Sequence, residues 1–151
     1  MSALFAFLHH VAAFMLVAAL VVEFVLIRDA LTLDNARKLL LADLIFGASA
    51  GAVLVIGLLR VFFFEKGAAY YFHSGPFIAK LVLFGAIALL SIHPTVTFLS
   101  WRTSVRQGQP PVVDERRIRL IRALIHWELA GVVFLILCAA LMAKGVGLSQ
   151  A

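Results

Sequence analysis

Two groups of polar side chains lie in or beside the apolar runs of this chain, and their types bound its chemistry. His9, His10, Arg60, Lys80 and Met142, with His73 in a connecting loop, offer imidazole and thioether ligands and two fixed cations for an anion. Glu23, Asp43 and Glu128, with His93 and His126, offer groups that exchange protons or pair with one another. In hydrocarbon each ionisable group is costly, and such groups usually face a bundle interior, a cavity or a partner.

The elements that must position them follow from composition. The chain has 151 residues, 64% hydrophobic and 14% charged, with a mean hydropathy of +1.06, more apolar surface than a small soluble core can bury. Apolar runs near 4–27, 42–64, 76–101 and 121–143 each supply the ~20 residues that cross ~30 Å of hydrocarbon. The expected fold is an all-α integral membrane four-helix bundle, one domain over 1–151 with helices about 4–27, 34–66, 76–102 and 114–144. The connections at 28–41 and 102–120 are too short to fold alone, so the second and fourth helices are expected to extend through them into water.

Charge sets the orientation. Arg28, Arg37 and Lys38 in the first connection, and Arg102, Arg106, Arg116, Arg117, Arg119 and Arg122 in the third, face only Lys66 and Lys144 on the other side. The positive-inside rule predicts a cytoplasmic arginine-rich side, with both termini outside. The basic character is then a matter of topology, and nucleic-acid binding is not invoked. Cys138 is alone and reads as core packing, which leaves no disulfide framework. No nucleotide loop, nucleophile triad or zinc motif points to a kinase or hydrolase.

Thr32 or Asp34 is placed to cap the second helix, and the Ser74-Gly75-Pro76 step opens the third. Gly47 and Gly51 form a small-residue pair that admits a close helix of the same chain or of a second copy, a homodimer face. At ~100° per residue, His9 and Glu23 share a face of the first helix, whereas His10 does not. Lys80, Phe84, Ile87 and Ser91 form a stripe on the third helix, and Arg117, Ile121, Glu128, Leu135 and Met142 one on the fourth.

Structural roles account for much of this: Arg60 and Lys80 snorkelling to the interface, Tyr70, Tyr71, Phe72 and Trp101 anchoring there, and the acids pairing as glue. The sharper reading makes the outer layer a receptor for an anion on a flat apolar body, and a haem-like tetrapyrrole fits that description. Arg60 and Lys80 then hold propionates, His9 or His10 offers an axial nitrogen, and Met142 or His73 a second axial group. His93 and His126, at similar depth, form a possible further axial pair.

The stretches LHHVAAF, GLLRVFFFEKGAAYYFHSGPFIAKLVLF, LLSIHPTVTFLSW and ALMAKG resemble a bacterial family of four-helix membrane proteins of unknown function, over nearly the whole chain. The layout is also distantly similar to the HemJ-type protoporphyrinogen oxidases. That resemblance implies an inner-membrane protein binding haem b, with His10 (or His9) as iron ligand, Lys80 in AKLVLF holding the porphyrinogen and Glu128 in RALIHWEL accepting a proton. Trp127 stands where that family has asparagine. The expected function is haem or tetrapyrrole binding in redox or porphyrin handling; an enzyme of this kind is a membrane oxidoreductase acting on a porphyrinogen or quinone-type partner. The alternatives are a small proton-coupled carrier or channel, with Glu23, Asp43, Glu128 and Arg60 lining a polar route, and a non-catalytic membrane subunit.

Overall fold

Each long apolar run becomes one helix. The structure, a computed structural model, describes residues 2–64 and 75–144. Helix α1 spans Ser2–Leu26, α2 Leu33–Leu59, α3 Gly75–Ser100 and α4 Glu115–Ala143. A single π-helical turn, Arg60–Phe64, continues α2, and a short helical turn, Arg102–Arg106, follows α3. Among the described residues there is no strand. Lys66, Tyr70, Tyr71, Phe72 and His73 lie outside the described residues, as does the side chain of Met142.

All four helices are long and apolar enough to cross a membrane. At ~1.5 Å per residue, α2 with its π turn (27 and 5 residues) is about 48 Å long and α4 (29 residues) about 43 Å. Both outrun ~30 Å of hydrocarbon, as expected for helices that project into water. The bundle thus has one end bearing the helix starts of α1 and α3, and an opposite, arginine-rich end.

Local signals fix the boundaries. Thr32 caps α2, its hydroxyl accepting from the Asn35 amide at 3.2 Å, and the Asn35 side chain donates back to the Ala30 carbonyl at 2.9 Å. Gly108 takes the positive φ (73°) that turns the chain back toward α4, a conformation that costs a glycine nothing. Trp101 departs from its expected interfacial role. The helix breaks there, and the indole turns inward against Phe98, ring centroids 5.0 Å apart, leaving 4% exposed.

The helices associate as two hairpins: α1 packs along α2 and α3 along α4, while the hairpins meet more sparingly. Leu16, Leu20, Leu39, Phe46, Phe98, Ile121, Ile125 and Val132 fill the interior. The outer surface is as apolar as the core, with Phe14 75% exposed and Val82 and Leu89 likewise turned outward, as a lipid solvent allows. Where α3 meets α4 the approach is tight, since a Cβ on Gly131 would come within 2.9 Å of Ile87 Cγ1.

Gly47 and Gly51 are not where α2 meets its neighbours. A Cβ on either meets nothing within 4 Å, and Gly47 borders a cavity between the helices. Arg122 of α4 crosses between the hairpins, donating through Nε to the Ile27 carbonyl (2.8 Å) and through Nη2 to the Arg28 carbonyl (3.3 Å). These are carbonyls that the end of α1 leaves without helical donors, and a cation there also complements the helix dipole. Arg28 itself stacks over Phe24, 4.0 Å from the ring centroid.

Candidate functional site

The polar groups inside the bundle fall into two layers separated by an apolar cavity. The layer nearer the arginine-rich end is acidic. Glu23 (1% exposed) comes from α1, Asp43 (7%) from α2 and Glu128 (1%) from α4. All three are near enough to act on one another electrostatically. Helix α3 contributes a hydroxyl: Thr95 Oγ1 donates to Asp43 Oδ1 at 2.6 Å. Neither Glu23 Oε1 nor Glu128 Oε1 has a hydrogen-bond partner among the described residues.

This is an unusual balance. A carboxylate is an acceptor only, so carboxylates that face one another cannot bond until a proton or cation comes between them. The nearest arginines do not supply that charge: Arg122 is spent on the α1 carbonyls and Arg28 lies over Phe24. Nor do acids converge as metal ligands do, since no group of three or more His, Cys, Asp or Glu side chains among the described residues could hold a metal ion. The ion pairs of the arginine-rich end lie elsewhere and at the surface, Asp34–Lys38 (2.6 Å) and Glu115–Arg119 (3.4 Å), where they contribute little.

Thr95 was legible only in part. It extends the third-helix stripe of Lys80, Phe84, Ile87 and Ser91 by one more turn, and following that stripe would have found it. Thr95→Val keeps the shape and removes the donor to Asp43. The expected cost is about 1–3 kcal/mol of stability, read by thermal denaturation in detergent, because a buried carboxyl loses its partner. A Thr95→Ser variant, which keeps the hydroxyl, should recover most of it; equal stability of Thr95→Val and the parent would contradict the bond.

The second layer lies at the other end. The sequence leaves open which of His9 and His10 faces inward; in the structure the two point apart. His10 points outward, its Nδ1 donating to the Ala6 carbonyl one turn back at 2.6 Å, which leaves Nε2 as the ring nitrogen available to a ligand. His9 turns inward, half-buried against Gly57 and the Val53 backbone, with its Nδ1 buried and without a hydrogen-bond partner among the described residues. Lys80 of α3 and Arg60 at the start of the π turn act electrostatically on the same imidazole. Three helices therefore bring His9, Arg60 and Lys80 together, and Arg60 and Lys80 have further contacts of their own. The inner histidines do not meet this pattern: His93 and His126 are both exposed, His126 lying beside Phe24 with ring centroids 6.2 Å apart.

Between the layers is a cavity of about 150 Å³, walled by residues of all four helices, among them Ala13, Phe46, Ala50, Phe84, Ile87 and Leu135. Ser91 and Thr95 add hydroxyls, and Thr95 thereby belongs both to the cavity wall and to the acid layer. The donor set at its upper end suits a tetrapyrrole, an imidazole for iron and two cations for propionates. The space does not enclose one: apolar cavities near 150 Å³ take a benzene-sized guest, and pockets that engulf larger ligands run to ~300–1,000 Å³. Glu128 stands in the acid layer and Lys80 in the other, the two layers into which their depth sorts them.

No curated protein and no solved structure matches the chain. A family model does, over residues 1–147, so nearly every residue discussed above falls within the match. The chain belongs to the family described as "Predicted membrane protein (DUF2214)", a family of integral membrane proteins of unknown function.

Proposed function

We propose that this protein is a small proton-conducting membrane channel or carrier whose acid layer is the proton-binding element. The observation that carries the reading is the pair of fully buried glutamates on two different hairpins, each with a carboxyl oxygen that no described residue satisfies. Such groups in a membrane interior usually mark proton or ion pathways, because a merely structural role is served more cheaply by apolar residues. Asp43 and Thr95 extend the layer across the seam between the hairpins, so loading and unloading of a proton acts on the contact between them. The donor geometry favours protons over a multidentate metal ion.

The haem and oxidase expectation rests on His9, Arg60 and Lys80, whose grouping suits an anionic cofactor, but the cavity beside them is too small to take a macrocycle inside the bundle. It is therefore not the reading the geometry supports best.

The test is proton movement in liposomes. Purified protein is reconstituted with a pH-sensitive dye inside, a potassium diffusion potential is imposed, and acidification of the lumen is followed. The parent protein should move protons faster than empty liposomes, and Glu128→Gln should slow this by tenfold or more. Rates indistinguishable from empty liposomes for the parent, or an unaltered rate in Glu128→Gln, would overturn the proposal. Flux that depends on sodium and not on pH would replace the proton with a metal cation.

A further inference from the structure

The layer of His9, Arg60 and Lys80 sits directly above the apolar cavity, and the two together have the form of a receptor for an amphiphile. Ala13 lies one helical turn below His9, Val53 one turn below Gly57, and Phe84 one turn below Lys80, and all three wall the cavity. The polar layer is thus about 5.4 Å, one turn, from the apolar space on α1 and α3, while Arg60 stands about two turns beyond Val53 on α2. A π-helical turn begins at Arg60, a local departure from the α-helix that recurs at functional sites.

We infer that this site binds a single-chain anionic amphiphile drawn from the bilayer, a fatty-acid-type carboxylate whose head lies among His9, Arg60 and Lys80 and whose chain enters the cavity. Charge decides the head. Two cations converge on an imidazole whose buried Nδ1 has no hydrogen-bond partner among the described residues, and an arginine fork matches a carboxylate with two parallel hydrogen bonds. Volume decides the tail. A mainly apolar space of about 150 Å³ admits a stretch of one hydrocarbon chain and is too small to enclose a fused macrocycle. The lining agrees, being aliphatic and aromatic except for Ser91 and Thr95 at its lower end. Arg60 and Lys80 have contacts of their own, and a carboxylate bound there adds to these without requiring either to be unpaired. The inference is independent of the proton reading, because binding at the upper layer does not require the acids below to titrate.

The experiment uses the full chain in nanodiscs of neutral phosphatidylcholine and a photoactivatable long-chain fatty acid, with its methyl ester and hemin as competitors. Labelling by the acid should saturate and map to peptides of α1, α2 and α3 that wall the cavity. Arg60→Gln and Lys80→Gln should each weaken binding about tenfold, as for loss of a charge-assisted hydrogen bond, while Lys80→Arg should stay near the parent. Filling the cavity with Ala13→Leu and Ala50→Leu should abolish cavity labelling in protein that still runs as a monodisperse species. Glu23→Gln should label like the parent, which separates this site from the proton layer.

Equal labelling by the methyl ester would show that the head is not recognised and would overturn the inference. So would labelling that Arg60→Gln, Lys80→Gln and the cavity-filling pair all leave unchanged. Stoichiometric displacement by hemin with a Soret band that His9→Ala removes would assign the site to a tetrapyrrole instead.

Discussion

Replacing all three buried acids with their amides, Glu23→Gln, Asp43→Asn and Glu128→Gln, is expected to raise the melting temperature while reducing proton flux to that of empty liposomes. The two effects have one cause. Three carboxylates are acceptors only, and two of them carry an oxygen without a partner among the described residues. Three amides both donate and accept, so they can bond to one another, and the amide replacing Asp43 would still receive the Thr95 hydroxyl, which now donates to the carboxylate at 2.6 Å. Giving a buried polar atom the partner it lacks is worth about 1–3 kcal/mol. Amides do not exchange protons in the accessible range, so flux through the layer ends. Thermal denaturation in detergent and the liposome assay read the two halves separately. A variant that melts several degrees lower would mean that the carboxylates are structural partners, and would count against a proton-binding layer even if flux were lost.

The largest loss of stability is expected at Gly131. Its missing side chain lets α3 and α4 approach until a Cβ would stand 2.9 Å from Ile87 Cγ1 and 3.2 Å from Ile87 Cδ1. Alanine there forces Ile87 aside, and leucine forces the helices apart. Overpacking commonly costs about 1–3 kcal/mol and sometimes more, and Gly131→Leu belongs at or above about 3 kcal/mol because backbone, not only a rotamer, must move. Ile87→Ala combined with Gly131→Leu should return much of that loss by vacating the same space, in a double-mutant cycle with coupling above about 1 kcal/mol. Additive effects would show that the two residues do not share the contact.

Hydropathy made the architecture legible. Four runs of sufficient length and the caps around Thr32 gave the helices to within a few residues, and helical phase put His9 and His10 on different faces without deciding which of them faces inward. The same phase placed Glu23, Ile87 and Ile121 inside. What it left out has a physical reason. In lipid the outer face is as apolar as the inner one, so the contrast that identifies a partner-facing side in a soluble helix fades. Pairing of α1 with α2 and of α3 with α4, and hence which acids meet, is decided by shape. Trp101 illustrates the limit: its type fits an interface, but the helix breaks beside it and Phe98 offers a better neighbour. Arg122 belonged by sequence to a cationic rim, and only the fold shows that it serves the carbonyls of another helix.

Those two bonds also have a mechanical meaning. Arg122 pins the foot of α1 to α4, and the Thr95–Asp43 bond joins the hairpins a little farther in. Toward the opposite end Phe5, Arg60, Phe77 and Lys80 have contacts of their own, and the cavity lies between the two ends. Together the Arg122 and Thr95–Asp43 bonds resist separation of the two hairpins at the arginine-rich end, so the cofacial contact of α1 with α4 and of α2 with α3 is fixed there by hydrogen bonds and not by apolar packing alone.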